Sequence, residues 1–187
     1  MQTFLMKINK KNFILIAIII LILGCGQEDI SDSENTQIEK ITNESAVYTI
    51  DDFKNIGFKI NKEYDVSELD SAQGVWFGFW KNNLNKPVDY EIRIYPSQQL
   101  ALNKGVVFVE EVIGDNAVLK KSTSSWKEGI QDRRSRNNSS MSGSEANSVR
   151  AKYLDYVVYG NAIVLCSGLD LSYAAQNCSD LVLSLEN

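Results

Sequence analysis

Thirteen residues near the C-terminal end of this 187-residue chain constrain its fold more than any other stretch. From Tyr153 to Leu165 two apolar runs flank Gly160-Asn161, a two-residue loop whose leading glycine accepts the positive φ that suits the twist of paired strands. Pairing about that loop sets Tyr159 opposite Ala162, Val158 opposite Ile163 and Tyr156 opposite Leu165. A chain with such a hairpin must extend it into a larger antiparallel sheet and cover its apolar face.

Other segments supply that sheet and its cover. Val88 to Tyr95 alternates strictly, which predicts a half-buried strand with Val88, Tyr90, Ile92 and Ile94 inward and Asp89, Glu91 and Arg93 in solvent. Gly74 to Trp80 is apolar on both sides, Val75, Phe77 and Phe79 on one and Trp76, Gly78 and Trp80 on the other, as in an interior strand. Thr49, followed by Asp51 and Asp52, reads as a helix start, with Gly57 past its end and Ile50, Phe53 and Ile56 on one stripe. Pro96 ends a strand, and Ser97 caps a helix to about Ile113, with Gly105 on its inner face where a missing side chain permits close approach to the sheet. Ser172 caps a last helix, Tyr173 to Leu185. Between these elements, Gln131 to Arg150 is rich in Ser and Asn and reads as a long mobile loop. The expected fold is α+β: one domain over residues 46–187, a twisted antiparallel sheet covered by two or three helices.

There is no histidine. That removes Ser-His-Asp and Cys-His catalysis, His-ligated zinc and imidazole proton shuttles. With 24 acids against 19 cations, the chain also lacks the basic excess of a nucleic-acid binder. No phosphate-cradling glycine loop, nucleophile elbow or metal-spaced cysteine cluster is present, and neither a metal nor a cofactor is expected.

The N-terminus has its own logic. Phe13 to Leu23 is an unbroken apolar run of eleven, preceded by Lys7, Lys10 and Lys11. It is short of the about 20 residues that span a bilayer and reads as the core of an export signal. Leu21-Ile22-Leu23-Gly24-Cys25 resembles the lipobox of bacterial lipoprotein precursors, with a departure at Leu23, where a small residue is usual. The resemblance implies cleavage after Gly24 and lipidation of Cys25, anchoring the mature chain outside the cytoplasm on a bacterial membrane. Residues 25–45 carry six acids and one lysine and read as a disordered tether. In that oxidising compartment Cys166, at a strand end, and Cys178, on the buried face of the next helix, are expected to form a disulfide.

Two groups stand out as ligand-binding candidates. Trp76 and Trp80 flank Gly78 and could hold a flat ligand between their indoles, although the same residues suit a sheet core. Arg133 and Arg134, beside Asp132 and Arg136, could take an anion or form a solvated loop edge. No catalytic pair emerges: Glu110 and Glu111 are adjacent on a helix, about 100° apart, and Asp155 stands alone among apolar neighbours. The run YEIRIYPS together with Trp126-x-x-Gly129-x-x-Asp132-Arg133-Arg134 resembles domains of unassigned function in other bacterial lipoproteins, and implies no activity. The expected role is non-catalytic binding of a small ligand or an envelope component at a membrane. A carboxylate-based envelope hydrolase and a structural docking lipoprotein are the alternatives.

Overall fold

A computed structural model describes residues 38–42, 45–136 and 149–186. The run read as an export signal, Cys25 and most of the stretch expected to be a tether lie outside these residues, as does the centre of the Ser/Asn-rich stretch. The strands are β1 Ile41–Thr42, β2 Lys59–Tyr64, β3 Gly74–Lys81, β4 Pro87–Ile94, β5 Arg134–Arg136, β6 Val149–Ala151, β7 Tyr153–Tyr159 and β8 Ala162–Ser167. Helix α1 is Ile50–Asn55 and α3 is Leu171–Leu183. Between them α2 runs through Gln98–Leu100, a wider π turn at Ala101–Gly105, and Val106–Glu110.

Six strands form one sheet in the order β1-β7-β8-β4-β3-β2, and β5 and β6 pair as a separate ribbon. The hairpin has the expected register, Tyr159 to Ala162, Val158 to Ile163 and Tyr156 to Leu165, and Gly160 turns it at φ +55. Asn161 is buried at the tip, where its amide holds the backbone of Tyr48 and Tyr95. Thr49 and Asp52 form a capping box on α1, and Gly57 follows its end at φ +96. Ser97 caps α2 through Leu100 N. A Cβ on Gly105 would come within 2.6 Å of Ile163 and 2.7 Å of Tyr95, the close approach that the glycine permits.

Several expectations need correction. The sheet is mixed, because β1 runs parallel to β7 along its edge. Residues 38–42 therefore belong to the domain, not to the tether; two paired residues in an acidic stretch leave too short a pattern to read. The Ser/Asn-rich stretch is not loop throughout, since its ends form β5 and β6. Helix α2 stops at Glu110, short of Ile113, and α3 begins two residues early, at Leu171, with Asp170 and not Ser172 as its cap, its Oδ1 accepting from Tyr173 N at 3.0 Å.

The largest correction concerns β4. Its even-numbered residues Tyr90, Ile92 and Ile94 enter a core with Phe53, Trp80, Val164, Cys178, Leu181 and Val182. Its odd side is not in solvent: Glu91 and Arg93 are fully buried. That second face carries Tyr95, Val158, Ile163 and Leu165 against α2 residues Ala101 and Val109, and Tyr64 and Val75 against Trp126.

Candidate functional site

Neither predicted ligand group forms an open site. Trp76 is half-buried, its ring folded over Gly74, and Trp80 is buried with its Nε1 donating to Ile56 O at 2.9 Å. The gap between them is filled: a Cβ on Gly78 would lie 2.6 Å from the Phe58 ring. The indoles are core residues of the α1/α3 face.

Arg133 is fully buried as well. Its Nε and Nη2 donate to the two Glu91 oxygens at 2.7 and 3.1 Å, and Nη1 donates to Glu128 O at 2.7 Å. Arg93 Nε reaches the same carboxylate at 2.8 Å, and both guanidiniums lie over the Trp126 ring. Gly129, at φ +67, brings the loop close enough that its Cβ would meet Tyr64 and Arg133 Nη2. Tyr64 OH donates in turn to Asp132 Oδ2 at 2.9 Å. YEIRIYPS and the Trp126-to-Arg134 run thus meet in space as one buried ionic cluster, which seals the charged side of β4. Burial alone would raise the pKa of Glu91, but the fields and hydrogen bonds of Arg133 and Arg93 outweigh it and hold the carboxyl below its usual range. Glu91, Arg93, Arg133 and Trp126 are all closed to solvent. Arg134 opens β5 and binds Gln131 Oε1 at 2.5 Å.

The carboxylates are dispersed. Glu110 accepts from Tyr156 OH, Glu111 from Ser125 N, and Asp155 pairs with Lys40 Nζ at 2.8 Å. Burial and Glu110 push the Tyr156 phenol up to about 12. Among the described residues no cluster of three or more acidic or cysteine side chains could hold a metal.

The open site lies elsewhere. A groove of about 590 Å³ runs between the β3–β4 turn, the β5–β6 ribbon and the start of α3. It adjoins a smaller hollow of about 390 Å³, with Arg150 and Leu169 lining both. Its walls are braced. Asn82 Oδ1 accepts from Leu84 N and Lys86 N, and its Nδ2 donates to Asn177 Oδ1 at 3.0 Å. Asn177 Nδ2 donates to Ser167 O at 2.8 Å, and Ser167 Oγ to Asp89 O at 2.9 Å. The expected disulfide is present: Cys166 and Cys178 join the end of β8 to α3 beside this chain of amides. Lys152 pairs with Asp89 at 3.0 Å over the Phe77 ring. Lys86 and Arg150 are exposed and have no ion-pair partner among the described residues. Leu84, Leu169 and Tyr173 form an apolar rim.

The sequence profile of a family described as a family of unknown function, DUF6810, matches residues 49–187. The chain belongs to that family. The match spans β2 to β8 and all three helices, and so includes the buried cluster, the disulfide and the groove, while β1 precedes it. No curated protein and no solved structure matches the chain.

Sequence reasoning missed the groove because its residues come from four separated segments. Arg150 falls in the stretch expected to be a mobile loop, and Lys86 lies between the two expected strands. One local signal was legible: Leu169 and Leu171 put two large apolar side chains on either side of the Asp170 cap, at a junction between strand and helix.

Proposed function

We propose that the protein is a lipid-anchored extracytoplasmic binding domain, held to a bacterial membrane through Cys25, whose groove docks an anionic, partly apolar ligand without chemical turnover. The observation that carries this is the combination, in one braced groove, of Lys86 and Arg150, cations without an ion-pair partner among the described residues, with the exposed side chains of Leu84, Leu169 and Tyr173. Such cations suit a phosphate or carboxylate, and the rim suits an alkyl chain. A carboxylate hydrolase has less support. Asp89 is the acid lining the larger chamber and is held by Lys152, whereas Glu110 and Glu111 are engaged separately elsewhere.

The test uses dodecyl phosphate below its micelle concentration as probe and the unacylated chain from residue 25 with Cys25→Ser. Calorimetry is expected to show saturable binding. Replacing Lys86 or Arg150 by Ala should weaken it about tenfold each, the size of one charged hydrogen bond. Unchanged affinity in the double variant would remove the groove as the site. Labelling cells with radioactive palmitate is expected to mark the protein and to fail with Cys25→Ser; label retained by that variant would refute the anchor.

A further inference from the structure

The chain enters the fold at the same end of the sheet at which the groove opens. Ile41 and Thr42 pair in parallel with Val158 and Tyr159, so toward Ile38 the backbone follows β7 back to its beginning. Ile38 lies beside Asp155 and Ala175, its N–H on Ser179 Oγ at 3.1 Å. At that end Tyr153 faces Ser167 and Lys81 faces Pro87, and these strand ends build the groove. The opposite end is the Gly160-Asn161 tip, about 20 Å away over a seven-residue strand.

The groove end also gathers apolar surface. Leu84 is 65% exposed, Leu169 77%, Leu171 62% and Tyr173 52%. All four border the groove or the hollow that continues it, and Lys86 and Arg150 sit among them. Soluble surfaces seldom cluster large apolar side chains in this way without a contact to make. The acids nearby are occupied or peripheral: Asp89 is held by Lys152, Asp170 caps α3, and Asp115 borders the hollow.

We propose that this end of the domain rests on the bilayer that anchors it. The four apolar side chains enter the interface, and Lys86 and Arg150 take the phosphates of anionic lipids, so that the groove's ligand is a membrane lipid. The proposal rests on the lipid anchor at Cys25. Twelve residues, 26–37, separate that cysteine from Ile38. The thirteen steps from Cys25 to Ile38 reach at most about 45 Å fully extended, and a flexible segment of that length averages nearer 20 Å. The anchor therefore keeps the groove end within reach of the headgroups and favours it over the hairpin tip. Interfacial binding of this kind adds apolar insertion to attraction for anionic lipid, and a second attachment is what turns a tethered domain into an oriented one.

The test places a tryptophan at each end of the lipidated protein in vesicles of phosphatidylglycerol and phosphatidylcholine with brominated acyl chains. Leu169→Trp reports on the groove, and Val47→Trp, exposed beside the hairpin tip, is the control. The Leu169→Trp probe is expected to lose roughly half its added emission, as for a side chain 5–10 Å below the surface, with Val47→Trp unaffected. Adding Lys86→Ala and Arg150→Ala should reduce that loss, as should vesicles of phosphatidylcholine alone. If Leu169→Trp is quenched no more than Val47→Trp while the protein still floats with the vesicles, the membrane-facing end is overturned and the anchor stands. Dodecyl phosphate binding retained in that case would mark the ligand as a free amphiphile. If the protein does not float at all, the anchor falls and this proposal with it.

Discussion

Glu91 is the residue on which the second face of the sheet depends. It stands between two guanidiniums, fully buried, and is held ionised by them against the effect of burial. Removing one member of a buried ionic group leaves the others charged and uncompensated, at a cost of about 3–5 kcal/mol. Glu91→Gln should therefore destabilise the protein by that amount near neutral pH in chemical denaturation. Its pH dependence follows from the lowered pKa. A carboxyl with a depressed folded-state pKa contributes its full stability above the unfolded value, about 4.3, and loses it as the pH falls through the folded value. The gap between wild type and Glu91→Gln should be widest above about pH 5 and shrink as the pH falls below the unfolded value, about 4.3. A gap constant from pH 7 to pH 3 would show that the carboxylate's charge is not what matters. Strict alternation in β4 pointed to these residues but gave the wrong environment. Period-two patterning separates two faces and says nothing of what covers the polar one. The cover, Trp126 to Arg133, lies more than thirty positions away and has no periodicity of its own.

Among the elements, legibility tracked how local the determining physics is. The hairpin register and the caps at Thr49 and Ser97 depend on neighbours a few residues apart, and the sequence displayed them. The parallel edge strand β1, the β5–β6 ribbon and the groove depend on pairings between distant segments, and it did not. The disulfide was readable because an expected oxidising compartment and two expected buried positions combined, and its placement gives it a second role. It closes a 12-residue separation, for which chain entropy predicts about 3 kcal/mol of stabilisation. It also joins the two walls whose amides, Ser167 and Asn177, brace the groove. Replacing both cysteines by Ala should lower stability by about that amount and weaken dodecyl phosphate binding more than a distant substitution of equal cost does. If stability falls and binding does not, the bridge serves the fold alone.

At the scale of the whole molecule, the chain's acidity is unevenly shared. Of the 24 acids, six lie with one lysine in residues 25–45, leaving residues 46–187 with 18 acids and 15 cations. Yet the boundary implied by composition, at residue 45, is not where the fold begins. Lys40 O and Thr42 O accept from Val158 N and Gly160 N at 2.8 and 3.1 Å, and Thr42 O also accepts from Gln98. Ile38 adds a contact to α3. The Lys40–Asp155 pair is half exposed on the lysine side and adds little. Hydrogen bonds of this kind are worth about 0.5–1.5 kcal/mol each, net. A chain beginning at residue 46 should thus fold, since the family match starts at residue 49, but with about 2–4 kcal/mol less stability than one beginning at residue 38. It should also behave differently in solution. In the observed strand order β1 covers the outer side of β7, and without it β7 becomes an edge strand, apolar at Tyr156 and Val158, with unpaired backbone groups open to a second chain. Sedimentation is expected to show concentration-dependent association of the shorter chain and none of the longer. Equal stability and a monomeric shorter chain would mean that residues 38–42 merely pass along the sheet. The expected result would instead make β1 the strand that closes the domain's edge and sets the end from which the chain departs.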